Sequence, residues 1–265
     1  MRAQAILGIW LRQWDLLRGS PTRILPTFAW VAVDIVLWGF ITRYLDAVAG
    51  AGFLPRLLGA VLLWDFFTRV MQGVTVAFFE DLWSRNFLNL FATPLSVTEY
   101  VGGLVLSSIV TSALGLAVML LLAGGVFGLH LLRLGLLLAP FLLLLFGFGV
   151  ALGVLACAMV LRLGPASEWL VWPIPALLAP FAGVFYPLAT LPGWMQAIGR
   201  GLPPSYVFEG MRAVLAGHHV TWFSPGIGLA LTLVYVALAG LVFGRVFRYT
   251  VASGLLARYS AESVS

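Results

Sequence analysis

The sequence predicts an all-α integral membrane protein: six transmembrane helices, preceded by an amphipathic helix on the membrane surface. A short cytoplasmic helix is expected between the second and third spans, and a re-entrant helical hairpin before the last. Three observations predict this. Apolar residues make up 62% of the 265 and charged residues only 9%, with a mean hydropathy of +1.04, a combination that soluble domains do not reach. The apolar residues gather in runs of about 20, the length a helix needs to cross a hydrocarbon core of about 30 Å. Two polar, proline-containing segments, residues 80–99 and 187–220, interrupt those runs.

The first 20 residues contain AILGIWLRQWDLLRG. Helical spacing puts Ala3, Ile6, Leu7, Trp10, Trp14 and Leu17 on one stripe, with Arg2, Arg12, Gln13, Asp15 and Arg18 off it, as in a helix lying in the headgroup region. A cleaved signal peptide is the competing reading; the charges interrupt any apolar core and no small-residue cleavage site follows. The first span covers about residues 24–44 and the second about 57–79.

Residues 78–100, FFEDLWSRNFLNLFATPLSVTEY, break the pattern. Leu82, Phe87, Leu90 and Phe91 suit one face of a short helix that leaves Glu80, Asp81, Arg85, Asn86 and Asn89 to polar partners. Pro94 ends that helix, and Ser96 with Glu99 three residues on forms a capping box for the next. A short helix rigidly joined to two spans can transmit force from a soluble partner.

The third span covers about residues 101–127 and the fourth about 132–161. A run such as LLRLGLLLAPFLLLLFGFGVALGVL has neither the length nor the alternation of a barrel strand. The fifth span begins near Trp169 and loses continuity around Pro187. Residues 185–217, FYPLATLPGWMQAIGRGLPPSYVFEGMRAVLAG, hold too many Pro and Gly residues to span. Two short helices fit there, residues 192–198 and 204–215, each opening on a proline. Trp194, Met195 and Ile198 form one apolar face, Phe208, Met211 and Leu215 another, and Glu209 is spaced to pair with Arg212. Such pieces can dip into the outer leaflet when protein buries their backbone. The sixth span covers about residues 227–247. All of this is one domain, residues 1–265.

With the N-terminus in the cytoplasm, Arg2, Arg12, Arg18, Arg23, Arg85, Arg162, Arg245, Arg248 and Arg258 lie inside. Arg43, Arg56, Arg133, Arg200 and Arg212 then lie outside. The positive-inside rule favours both termini in the cytoplasm. The chain has no lysine, so it has no Walker A loop and is expected not to hydrolyse nucleotide itself. Cys157 is the single cysteine, which excludes an internal disulfide and a multi-cysteine metal site. His218 and His219 are neighbours in a loop and His130 stands alone, so no metal is expected. The net charge of +5 follows from topology and gives no support to nucleic-acid binding.

Asp34, Asp65 and Arg69 fall inside the first two spans. A charge there costs roughly 2.5–3.5 kcal/mol on the insertion scale and needs a partner. Asp65 and Arg69 share a helix face, and Asp34 lies at a matching depth, so an ion pair fixing helix register is expected, with a polar translocation route as the alternative. Trp30, Trp38 and Trp64 are read as packing or lipid-facing aromatics, with stacking on an amphipathic substrate as the alternative.

The order of these parts resembles the membrane subunits of type-2 ATP-binding cassette exporters. LNLFATPLSVTEY is similar to their coupling region and FYPLATLPGWMQAIGRGLPPSYVFEGMRAVL to their re-entrant gate. The resemblance implies a permease that dimerises with a second copy, through the first and fifth spans, in a bacterial inner membrane. It also implies a separate ATPase subunit that binds ATP and Mg, this chain holding no cofactor. The coupling role would go to Glu80, Arg85, Asn86, Leu90, Thr93 and Pro94, and the external gate to Phe185, Tyr186, Pro187, Trp194 and Tyr206. The cargo would be an amphipathic or hydrophobic drug, lipid or lipid-linked saccharide leaving the cytoplasm. A proton- or ion-coupled transporter using Asp34 is the alternative, marked by transport on a pH gradient without ATP. A membrane enzyme would need a catalytic constellation that the sequence lacks.

Overall fold

The computed structural model describes residues 2–19, 21–50, 52–129, 131, 136–218 and 223–255. Expectations resting on His130, Arg133, His219, Arg258, residues 132–135 and the side chains of Arg23 and Phe91 lie outside the described residues. In chain order the helices are α1 (Ala3–Arg18), α2 (Pro21–Ala49), α3 (Gly59–Trp83), α4 (Phe87–Ala92), α5 (Val97–Phe127), α6 (Leu138–Leu163), α7 (Ile174–Ala182), α8 (Gly193–Arg200), α9 (Pro203–Leu215) and α10 (Phe223–Ala252). A π-helical turn, Leu54–Leu58, leads into α3. No strand occurs among the described residues.

Four helical segments among the described residues are long and apolar enough to cross a membrane: Leu54–Trp83, Val97–Phe127, Leu138–Leu163 and Ser224–Ala252. They match the second, third, fourth and sixth expected spans. The first expected span lies in α2, whose 29 residues extend about 44 Å at 1.5 Å per residue and include Asp34, Arg43 and Asp46. The fifth is not one helix. It is a 3₁₀ turn, Pro165–Leu170, followed by α7, whose nine residues reach only about 14 Å. Pro165, Pro173, Pro175 and Pro180 each remove a backbone donor, which is why this stretch breaks.

Helix α3 is the centre of the bundle, with Phe67, Phe78 and Phe79 fully buried. Lipid tails are as apolar as leucine, so helices associate by close packing at small residues and by interhelical hydrogen bonds. On one side, a Cβ added to Gly149 would lie 2.9 Å from the Val70 Cβ, and one at Gly153 would lie 2.8 Å from the Val74 Cβ. This four-residue spacing lets α6 and α3 touch backbone to side chain. On the other side Gly73 faces Ser108 of α5, whose hydroxyl donates to the Val70 carbonyl at 2.8 Å. Helix α10 covers α6, where Gly147 leaves room for Thr232.

The contacts define two ends of the bundle. At one end lie α1, α4 and the C-terminal turns of α6 and α10, where Arg162 stacks on Tyr249 at 3.8 Å. At the other, Arg43 of α2 donates to the Val126 carbonyl of α5 at 3.0 Å. Trp38 stacks on Phe185 at 5.3 Å, and Trp64 packs on Phe67 and Phe208 at 4.7 and 6.0 Å. Trp38 and Trp64 are thus packing aromatics; Trp30 is 73% exposed.

Candidate functional site

Helix α3 ends in a Schellman turn. Arg85 N–H donates to the Leu82 carbonyl at 3.1 Å and Asn86 N–H to the Asp81 carbonyl at 3.0 Å. The residue between cap and helix α4 must be left-handed, a place normally held by glycine, as Gly128 (φ +72) does after α5. Here it is Arg85, with φ +54, the only non-glycine residue of positive φ among the described residues. A Cβ in this region costs on the order of 1–2 kcal/mol, and the turn aims an exposed arginine away from the bundle. Asn86 accepts from Asn89 at 3.2 Å. Thr93 caps the end of α4, its hydroxyl donating to the Leu90 carbonyl at 2.5 Å.

The capping box opens α5 as the sequence predicts. Glu99 N–H donates to Ser96 Oγ at 3.3 Å and Ser96 N–H to Glu99 Oε2 at 3.0 Å. Replacing Ser96 with Ala is expected to cost about 1 kcal/mol, read as a lower thermal midpoint in detergent.

Helix α1 clamps this segment from both sides. Arg2 donates from its backbone N–H to Glu99 Oε1 at 2.6 Å and from its guanidinium to the Pro94 carbonyl. Arg12 pairs with Asp81 at 2.5 Å, and Asp81 is fully buried. Tyr100 donates to the other Asp81 oxygen at 2.8 Å, and Gln13 to the Ala77 carbonyl at 3.0 Å. The packing face of α1 therefore differs from the expected apolar stripe: Ile9 and Gln13 are buried while Leu7 is 46% exposed. Polar residues turn inward here because α3 offers the Asp81 carboxylate to Arg12 and the Ala77 carbonyl to Gln13. Close approach is possible because Gly103 lies under Ile9.

Two cavities flank the clamp. A groove of about 320 Å³ on its outer side is bordered by Arg2, Arg12, Leu90, Thr93 and Pro94, which brings three of the expected coupling residues together. A second cavity of about 600 Å³ lies under α1, lined by Trp10 and Trp14 of α1, Trp30 of α2, Trp172, and Arg69 and Gln72 of α3. Glu80 lines this second cavity rather than the groove. Arg69 fits because its stem lies over Gly115, where a Cβ would come within 2.9 Å of the arginine Cδ. Asp34 and Asp65 are within hydrogen-bonding reach of each other, with Arg69 as their neighbouring cation. The expected trio does meet, through a carboxyl-to-carboxyl contact that helical spacing alone does not reveal.

At the opposite end, Glu209 accepts from the Leu188 N–H at 2.7 Å and pairs with Arg212 at 3.0 Å. The expected gate residues hold separate partners: Phe185 on Trp38, Tyr186 O–H to the Pro180 carbonyl at 2.9 Å, Trp194 edge-on to Phe181 at 6.1 Å, and Tyr206 O–H to the Arg200 carbonyl at 2.8 Å. Pro187 precedes a short 3₁₀ turn, Leu188–Thr190. Trp194 and Ile198 of α8 face outward, 63% and 44% exposed.

The family model for ABC-2 type transporters matches residues 4–216, a stretch that contains the clamp, α4 and the short helices α8 and α9. The chain belongs to this family. No curated protein matches it. As an ABC-2 type transporter chain it is a multi-pass membrane permease subunit, and the family implies an ABC-type ATPase partner. Sequence reasoning missed the clamp residues Arg12, Gln13, Asp81 and Tyr100. The signal was available in the interrupted polarity of α1, where Arg12 and Gln13 follow one another between apolar residues.

Proposed function

We propose that this ABC-2 permease forms half of an ATP-driven exporter. It pairs with a second copy and crosses a bacterial inner membrane six times, α2 and the broken stretch ending in α7 completing the four long apolar spans. Both termini lie in the cytoplasm, and an amphipathic or hydrophobic substrate moves outward. ATP and Mg bind to the separate ATPase, since no Lys is present to build a phosphate loop here. The single observation that carries the reading is the rigid attachment of α4 to α3 and α5 at the clamped end of the bundle.

In this reading the ATPase seats against Arg85, Asn86, Leu90, Thr93 and Pro94. Its motion reaches α1 through the Arg2 and Arg12 contacts, and so reaches the wall formed by Trp10 and Trp14. Glu80 serves the cavity instead of the ATPase contact. At the far end Phe185, Tyr186, Pro187, Trp194 and Tyr206 line the exit, with Glu209 holding the Leu188–Thr190 turn against α9.

The test is recruitment of the candidate ATPase by the detergent-solubilised chain. Wild type should capture it, and Arg85→Glu combined with Leu90→Asp should abolish capture while the chain stays folded. Arg85→Gly separates function from fold: it relieves the left-handed strain and should stabilise the chain by about 1 kcal/mol yet still weaken capture. Transport driven by a pH gradient without ATP, together with no capture by wild type, would overturn the exporter reading.

A further inference from the structure

The chemistry of the 600 Å³ cavity is specific enough to name an occupant. Its volume falls within the range of pockets that enclose drug-sized ligands. Arg69 and Glu80 mark its extent along α3, and their separation of eleven residues corresponds to about 16 Å. The space runs along α3.

Four indoles contribute to the walls: Trp10, Trp14, Trp30 and Trp172. Trp10 and Trp14 lie stacked at 6.2 Å along α1, and Trp30, on α2, keeps most of its ring exposed. Indole is the aromatic face that attracts cations most strongly, and the attraction grows when water is excluded.

The hydroxyls point the same way. The Ser107 and Thr111 hydroxyls, which line the cavity, spend their protons inside α5, on the Gly103 and Ser107 carbonyls, each at 3.0 Å. What remains toward the cavity is oxygen lone pairs, which accept and do not donate. Arg69 is the one cation among the described lining residues, and it is engaged by Asp34 and Asp65. Glu80 is the one carboxylate among the described lining residues. An anion would find Arg69 already engaged by two carboxyl groups, and only the neutral indole N–H and glutamine amide donors left to it.

We propose that the cavity under α1 binds a lipophilic organic cation of drug size, its delocalised charge held between indole faces and acceptor oxygens. As a statement about transport this rests on the exporter reading above; as a statement about binding it does not. The Trp10 and Trp14 wall belongs to the helix clamped to the coupling segment, so movement of α4 would change the grip on the cation.

The test uses two ions of the same shape and opposite charge, tetraphenylphosphonium and tetraphenylborate. Binding is measured by equilibrium dialysis against the chain in nanodiscs of phosphatidylcholine, with partition into empty nanodiscs subtracted. Saturable binding of the cation is expected, with the anion at least about tenfold weaker. Trp14→Leu with Trp30→Leu should weaken the cation about tenfold, the effect of losing two such contacts, and the corresponding Phe pair should retain most affinity. Trp30→Leu alone, at an exposed ring, tests the site without risk to folding and should weaken the cation measurably. Equal saturable binding of both ions, no saturable binding of either, or wild-type affinity in the Trp30 variant would overturn the proposal. A chain that recruits its ATPase but does not bind the cation keeps the exporter reading and loses this substrate class. A chain that binds the cation but recruits no ATPase keeps the site and loses the exporter reading.

Discussion

Replacing Arg12 with Ala is expected to destabilise the protein by about 3–5 kcal/mol, the cost of leaving a buried charge without its partner. Asp81 is fully buried, and after the substitution its carboxylate keeps only the 2.8 Å hydrogen bond from Tyr100. Removing the charge at the other side as well should restore most of the loss, so Arg12→Ala with Asp81→Asn should be more stable than Arg12→Ala alone. Denaturation midpoints of the purified chains in detergent decide this. Equal midpoints for wild type and Arg12→Ala would mean that the Arg12 to Asp81 contact does not hold α1 in place. A loosened α1 should still insert in the membrane, and under the proposed exporter function it should weaken the link between α4 and the cavity.

Gly153→Leu is expected to prevent native packing of α6 on α3. Even a Cβ at this position would meet the Val74 Cβ at 2.8 Å and the Met71 carbonyl oxygen at 2.9 Å. Backbone cannot yield as a flexible side-chain end does, so the helices must separate along the seam. Gly153→Ala should already cost about 1–3 kcal/mol, the usual penalty for overpacking, and Leu substantially more. Gly240→Ala in α10 is the control: nothing lies within 4 Å of its added Cβ. It should be neutral or slightly stabilising, because Ala favours helix over Gly by about 1 kcal/mol. The yield of monodisperse protein and its melting midpoint report both outcomes. If Gly153→Leu behaved like Gly240→Ala, the α3 to α6 seam described here would be incorrect.

Much of the segment around α4 is legible in the letters because its signals are local. Ser96 and Glu99 stand at the capping-box spacing, and the structure forms both hydrogen bonds of that box. Pro94 follows the end of α4 within two residues. The hairpin helices α8 and α9 begin near prolines for the same reason, a fixed φ and no donor to lose. The Glu209 to Arg212 pair is also local, three residues apart on one helix.

The contacts between distant segments were not legible. Arg12 and Gln13 belong to the polar side of α1 by periodicity, yet they meet Asp81 and the Ala77 carbonyl across the helix junction. Glu80 sits among the expected coupling residues in sequence but lines the cavity in space, because it lies on the face of α3 that looks toward α1. Arg85 gives no sign in the sequence of its left-handed backbone; the Schellman turn imposes it.

Composition and run length alone determined that this is a helical membrane protein whose long apolar runs are interrupted by two polar, proline-containing segments. Desolvation by lipid acts on every residue wherever it lies, so it can be read one letter at a time. Which side chains meet, where α1 docks, and that its docking leaves a cavity walled by tryptophan, were decided by tertiary structure. Within the bilayer the apolar effect does not choose between helix partners; close packing at Gly73, Gly149 and Gly153 and a few hydrogen bonds do, and these depend on residues far apart in the chain.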